Sequence, residues 1–228
     1  MLEGWEALFF DFDGVLADSL EVKTLAFARL FEPYGPEIVA KVVDHHRSHG
    51  GVTRVDKFHY YYREFLHRPL DAEELTGLCQ QFARLVVDEV VGAPEIPGAE
   101  AFLRSLPGEL PCFVVSAAPE EEVHEIVQRR GWAGYFRELR GAPTKKRENL
   151  KNLLEKYGFT PTRCLFFGDA ESDYVAARTC GVNFLGIVPG PGAPLLKVAP
   201  EIEWRRDFIG LVLPACAPGQ GKGKVGTA

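Results

Sequence analysis

Two acids, Asp11 and Asp13, stand where the apolar run Ala7-Leu8-Phe9-Phe10 gives out, and Gly14 follows them. A short run with no polar interruption reads as a strand buried on both faces. Side chains on a strand repeat with a period of two, so the two carboxylates point to the same side of its end, and the glycine allows a sharp turn. Carboxylates crowded into a half-dry crevice repel each other unless a proton or a cation lies between them. An acidic surface turn would not need so buried a lead-in.

Later segments supply groups that match. Ser116 closes the apolar stretch that starts at Cys112, offering a hydroxyl and the free backbone N–H groups after it. Asp169 closes Cys164-Leu165-Phe166-Phe167-Gly168 as Asp11 closes the first run. Asp173 follows, and on a helix its inward companions are Ala176, Ala177 and Cys180, which puts it on the packed face. Lys145 and Lys146 are adjacent, so a helix turns them about 100° apart and only one can face the crevice. Lys146 continues the apolar stripe of Leu150, Leu153, Leu154 and Tyr157 and Lys145 falls off it, which favours Lys146 and leaves Lys145 as the alternative. A cluster of carboxylates suits a hard divalent cation, and Mg2+ is held by one or two carboxylates together with phosphate oxygens. The lysine and the serine would take the remaining charge of a phosphoryl group.

Parallel strands are the elements that bring such residues together, because their carboxyl ends open onto one shared crevice. From about 97 onward, apolar strands alternate with helices that start near Pro119, Lys145 and Ser172, with a further short strand within 135–139. This alternation predicts an α/β fold, a Rossmann-like parallel sheet with helices on both faces. Residues from about 19 to 91 are helical in pattern instead. Asp71-x-x-Glu74 and Thr53-x-x-Asp56 are helix-start signals, the second leading into Val55, Phe58, Tyr62 and Phe65. The expected organisation is a catalytic core of 1–17 and 97–213, an inserted all-helical cap of 18–96, and a flexible tail of 214–228 rich in Gly, Pro and Lys.

The order Asp11-x-Asp13-Gly14, Ser116, Lys146, Gly168-Asp169-x-x-x-Asp173 resembles the four motifs of the haloacid dehalogenase superfamily. The helical insertion after the first motif resembles the small cap of the subgroup that includes phosphoglycolate phosphatase and beta-phosphoglucomutase. The resemblance implies a Mg2+-dependent phosphatase working through an aspartyl-phosphate. It implies Asp11 as nucleophile, Asp13 as general acid/base giving its backbone carbonyl to the metal, and Ser116 and Lys146 on the phosphoryl group. Asp169 would complete the protein's metal ligands and Asp173 would order the shell around them. Gly51-Val52-Thr53-Arg54 is similar to a beta-phosphoglucomutase cap segment whose arginine binds the non-transferred phosphate, which implies Arg54 as a substrate-binding residue. A phosphomutase is the alternative within the family, and an inactive member that binds a phosphorylated ligand is the alternative outside catalysis.

Bulk properties narrow the partners. A net charge of −6 disfavours a broad nucleic-acid or anionic-membrane surface, while a small phosphorylated substrate needs only local positive charge. The 5 cysteines are widely spaced with no CxxC pair, so they read as reduced core residues. No signal-peptide pattern or membrane span is recognisable, so a cytoplasmic protein with no obligatory protein partner is expected. His45, His46, His49 and His59 lack acidic or cysteine companions at metal spacing and read as solvated or core-edge residues. Glu120-Glu121-Glu122 reads as an acidic first helical turn, and at least one of Tyr60, Tyr61 and Tyr62 should be core.

Overall fold

The computed structural model describes residues 4–215. The first apolar run forms β1 (Ala7–Phe10), buried at every position. It lies inside a parallel sheet with β2 (Cys112–Pro119), β3 (Glu138–Ala142), β4 (Cys164–Gly168), β5 (Asn183–Ile187) and β6 (Trp204–Arg205). The strand order is β3-β2-β1-β4-β5-β6. The chain therefore winds outward from β1 to one edge, then returns to β1's other side and winds to the opposite edge. The reversal falls between β1 and β4, and a crevice opens at the carboxyl ends of two strands where order reverses. Phe10 pairs in register with Phe167, so Asp11 and Gly168 emerge side by side.

Alternation along β1 fills both faces of the sheet. Phe9 stacks on Phe113 and Phe166, with centroids 5.1 and 6.5 Å away, in the layer beneath α7 (Lys146–Tyr157) and α8 (Glu171–Cys180). Phe10 stacks on Phe167 at 4.7 Å on the other face. Full burial of such a ring stabilises the fold by about 1.5–3 kcal/mol, which anchors the strand that carries Asp11.

Between β1 and β2 run α1 (Leu20–Phe31), α2 (Pro36–Ser48), α3 (Arg54–Glu64) and α4 (Ala72–Gly92), then α5 (Ala99–Ser105). The segments entering and leaving the first four helices lie antiparallel, with Asp18 N–H donating to Pro94 (2.9 Å) and Ile96 N–H to Leu16 (3.0 Å). The helices pack on an aromatic interior in which Phe27 meets Phe82 at 4.4 Å and Phe58 at 5.5 Å. Thr53 and Asp71 cap α3 and α4 by accepting the Asp56 and Glu74 N–H groups. Tyr61 and Tyr62 are both core residues.

The structure departs from the sequence reading at four elements. The edge strand β3 begins at Glu138 rather than near Tyr135, because residues 133–135 close a turn before the chain pairs with β2 at Phe113. On α3, Val55 is exposed and the buried face holds Arg54, Lys57, Phe58, Tyr61 and Tyr62. That face fronts a polar crevice as well as a core, so its stripe is not purely apolar. A short helix α9 (Pro194–Val198) and the two-residue β6 were not expected, since neither is long enough to show a period. Cys79, Cys112, Cys164 and Cys180 are free thiols. Of the expected tail, 216–228 lie outside the described residues, and within it the Pro214 carbonyl accepts from the Trp5 indole (2.8 Å).

Candidate active site

Asp11 leaves β1 with one carboxylate oxygen fixed by the next residue's N–H, Phe12 N to Oδ1 at 2.7 Å. Its other oxygen lies 2.6 Å from the Lys146 ammonium, which is also 2.6 Å from Asp173 Oδ1. Lys146 opens α7 on the buried side, while Lys145 is exposed at the N-cap. Asp173 sits in the first turn of α8, where Oδ2 accepts the Ala170 N–H at 3.1 Å and favours the helix start. Asp169, from the end of β4, completes a group in which Asp11, Asp169 and Asp173 each offer an oxygen within 4.8 Å of the others. Gly14 has φ +78°, and a Cβ on it would lie 2.6 Å from Asp169 Oδ2, so the turn requires glycine in order to admit that carboxylate.

Asp13 points elsewhere. Its oxygens are taken by the Ser19 hydroxyl (2.6 Å) and the Lys23 ammonium, so its carboxylate stands outside the group of three. Ser116 is buried at the end of the apolar part of β2, its hydroxyl accepting the Ala118 N–H at 3.0 Å. Lys23 was not singled out from the sequence. The available signal was a basic residue four positions after Ser19 on the first turn of the helix behind the motif.

Electrostatics follow from crowding. Burial pushes the Asp11 carboxyl up to about 7; Lys146 opposes the shift, and Asp173 and Asp13 add to it. Burial likewise raises Asp169 well above the ordinary carboxylate range, reinforced by Asp11 and Asp173. Burial would also raise Asp13, but the Lys23 ammonium and its hydrogen bond prevail and hold it below its ordinary value. Burial would lower Lys146, but Asp11 and Asp173 raise it, so it is a permanent cation. Two acids that resist ionising, the buried Asp11 and the half-buried Asp169, the second of which accepts no hydrogen bond from a described residue, suit a hard divalent cation. Asp169 is the acid whose oxygens accept no hydrogen bond from a described residue; Asp11 beside it already meets Lys146 and the Phe12 N–H, as Asp173 meets Lys146 and the Ala170 N–H, and the three together are the acids that could hold a cation.

A cavity of about 520 Å³ lies over these acids and is walled by the helical layer, including Lys23, His46, Arg47, Arg54 and Lys57. Arg54, expected to meet a substrate anion, is instead paired through both outer guanidinium nitrogens with Glu122 of α6 (Glu120–Arg129), Nη1 to Oε1 at 2.7 Å. Its guanidinium also lies 4.5 Å over the Phe82 ring. Glu122, read from sequence as a helix-dipole acid, thus ties the helical layer to the core. Lys57 lies one helical turn beyond Arg54, buried, its Nζ 2.8 Å from His46 Nδ1. Burial and the nearby Lys23 bring Lys57 down to about 7, and burial with Lys57 brings His46 down to about 3, so His46 is neutral and accepts at Nδ1. His46, read from the sequence as a solvated or core-edge residue, is buried; Lys57 did not stand out, because a lysine within an apolar stripe looks like a surface residue until the stripe's direction is known. His45 and His49 stack on each other at 4.0 Å, with His45 also against Tyr60.

Among known proteins, the family model described as haloacid dehalogenase-like hydrolase matches residues 8–187. A phosphoglycolate phosphatase of Pseudomonas putida is 27% identical over 239 residues, covering 95% of this chain and 85% of that one. By structure, a beta-phosphoglucomutase of Clostridium difficile superposes with TM-score 0.74 at 18% identity, over 91% of this chain and 93% of its own. A predicted phosphoglycolate phosphatase of Haemophilus somnus gives 0.72 at 21%, over 91% and 96%. Among the described residues, no helix is long and apolar enough to cross a membrane.

Proposed function

We propose, from the premise that this chain belongs to the haloacid dehalogenase-like hydrolase family, that it is a phosphoric monoester hydrolase acting through an aspartyl-phosphate on Asp11. The observation that carries this reading is the buried Asp11 carboxylate, which keeps one oxygen on Lys146 and lies within a group of acids suited to Mg2+. A small phosphorylated metabolite is the substrate class, in keeping with the phosphoglycolate phosphatase relative.

A divalent cation held by Asp11 and Asp169 would neutralise charge on the phosphoryl oxygens and leave Asp11 a carboxylate. Lys146 and the Ser116 hydroxyl contribute hydrogen bonds to the same oxygens as phosphorus passes from the ester oxygen to Asp11. Asp173 acts through Lys146, fixing the ammonium where both can serve. Asp13 would give the leaving alkoxide its proton, for which it must exchange the Lys23 and Ser19 contacts that hold it as a carboxylate here. Asp13 then removes a proton from the water that attacks phosphorus, which returns Asp11 and releases phosphate. The Lys23 ion pair favours the carboxylate form of Asp13, the form the second step needs.

Hydrolysis of p-nitrophenyl phosphate and of a panel of metabolite phosphates is expected with Mg2+ and is expected to stop on chelation. Turnover undiminished by chelator would refute the reading, as would no turnover of any ester. Metal binding also has a stability readout. Without metal, folded Asp11 holds its proton up to about 7, whereas an ordinary carboxyl releases it near 3.8. Over that interval the folded state binds more protons than the unfolded one, so metal-free stability falls as pH rises. A bound cation displaces those protons, so the rise in Tm on adding Mg2+ should be larger at pH 8 than at pH 5. An equal rise at both, measured by thermal melts against a chelator control, would count against Asp11 as a ligand.

A further inference from the structure

Helix α4 leads the chain back into the core, and it has no basic residue in its own last turn. The core supplies one. Arg130, at the carboxyl end of α6, donates from Nη1 to the carbonyls of Val90 (2.9 Å), Val91 (3.1 Å) and Ala93 (2.7 Å). Carbonyls at a helix end lack partners within the helix, and a cation there also answers the negative end of the dipole. Glu95 and Glu100 stand near enough to favour the charge. The guanidinium lies 4.2 Å over the Trp132 ring. Trp132 is buried and packs in turn on Phe12, with ring centroids 6.3 Å apart. Phe12 stands between Asp11 and Asp13, and its N–H holds Asp11 Oδ1. Its carbonyl accepts the Leu16 and Ala17 N–H groups, so it also pins the segment that enters the helical layer.

We propose that Arg130, acting through Trp132 and Phe12, is a positioning residue for the reaction: it ties the chain leaving the helical layer to the turn that aims Asp11. This rests on the phosphatase reading above and adds to it residues remote from the substrate, since none of Phe12, Arg130 and Trp132 lines the cavity. The link is more than a helix cap. A cap needs the carbonyls alone, and the neighbouring Arg129, which pairs with Asp88 of α4 at 2.8 Å, already joins the same two helices. Arg130 adds a planar face that stacks on an aromatic ring. Buried rings packed in series pass on displacement, because protein interiors are close-packed. A shift of Phe12 moves the N–H that orients the nucleophile, and misplacing a reacting group by about 1 Å costs about 100-fold in rate.

Kinetics with p-nitrophenyl phosphate and hydrogen exchange read by mass spectrometry test this, well below each protein's melting temperature. Arg130→Met should lower kcat about 10-fold or more with KM little changed. Its backbone amides should exchange faster both in 88–97 and in 11–17. Asp88→Asn, which breaks the neighbouring ion pair on the same helices, should leave kcat at the wild-type value. A folded Arg130→Met with wild-type kcat, or with faster exchange confined to 88–97, would make Arg130 a helix cap only and overturn the proposal. An equal loss of kcat in Asp88→Asn would overturn it too, as a general effect of loosening α4. The wild type gives a test that needs no variant to fold. Mg2+ with inorganic phosphate should slow exchange in 88–97, a segment that does not line the cavity, because coupling is reciprocal. No slowing there would overturn the link. Failure of the phosphatase reading is separately visible, since the wild type itself would not hydrolyse p-nitrophenyl phosphate.

Discussion

Asp11→Asn is expected to lower turnover by at least about 10⁴-fold while leaving the protein folded, because the amide cannot form the acyl-phosphate on which both half-reactions depend. The fold should survive for a reason visible in the site. Asp11's carboxyl is pushed up to about 7, first by burial, so the folded state gains little from its charge. Asparagine keeps the shape and its carbonyl can still accept the Phe12 N–H; its NH2 then faces the Lys146 ammonium, which gives up that contact and keeps Asp173 as counter-ion. Rapid quenching with labelled substrate should trap phosphate on Asp11 of the wild type and none on the variant. Label on a different residue, or a variant retaining more than about a hundredth of the activity, would remove Asp11 from this role.

Lys146→Met should be damaging in both stability and rate. The ammonium is 2.6 Å from two carboxylates and 4% exposed, so its loss leaves buried negative charges facing one another. Removing one partner of a buried ion pair typically costs about 3–5 kcal/mol. Adding Mg2+ should recover part of that stability, since the cation supplies charge where the lysine did, but it should not restore turnover. Lys145→Ala removes an exposed N-cap side chain and should change stability by about 0.5 kcal/mol or less. Denaturant midpoints and kcat for the two variants give the comparison. Equal defects would mean that the ammonium between Asp11 and Asp173 is not what the site depends on.

Much of the placement of the candidate site was legible in the chain itself, and for a local reason. Asp11, Ser116 and Asp169 each end an uninterrupted apolar run, and such a run must be a buried strand whose end opens on a crevice. Lys146 over Lys145, and the inward face of Asp173, followed from helical period alone, because both helices carry a clear apolar stripe. Neighbourhoods across the fold were not legible. The pairing of Arg54 with Glu122 joins residues 68 positions apart on different layers, and nothing near either in sequence announces it. The same holds for Lys57. On α3 the polar and apolar positions form one buried face, since that face meets an aromatic core at Phe58 and a charged cavity at Lys57. Sequence period shows which residues share a face. What that face meets is a property of packing, and here packing gave Lys23, Arg47 and Arg54 a paired carboxylate while among the described residues it set Lys57 against His46.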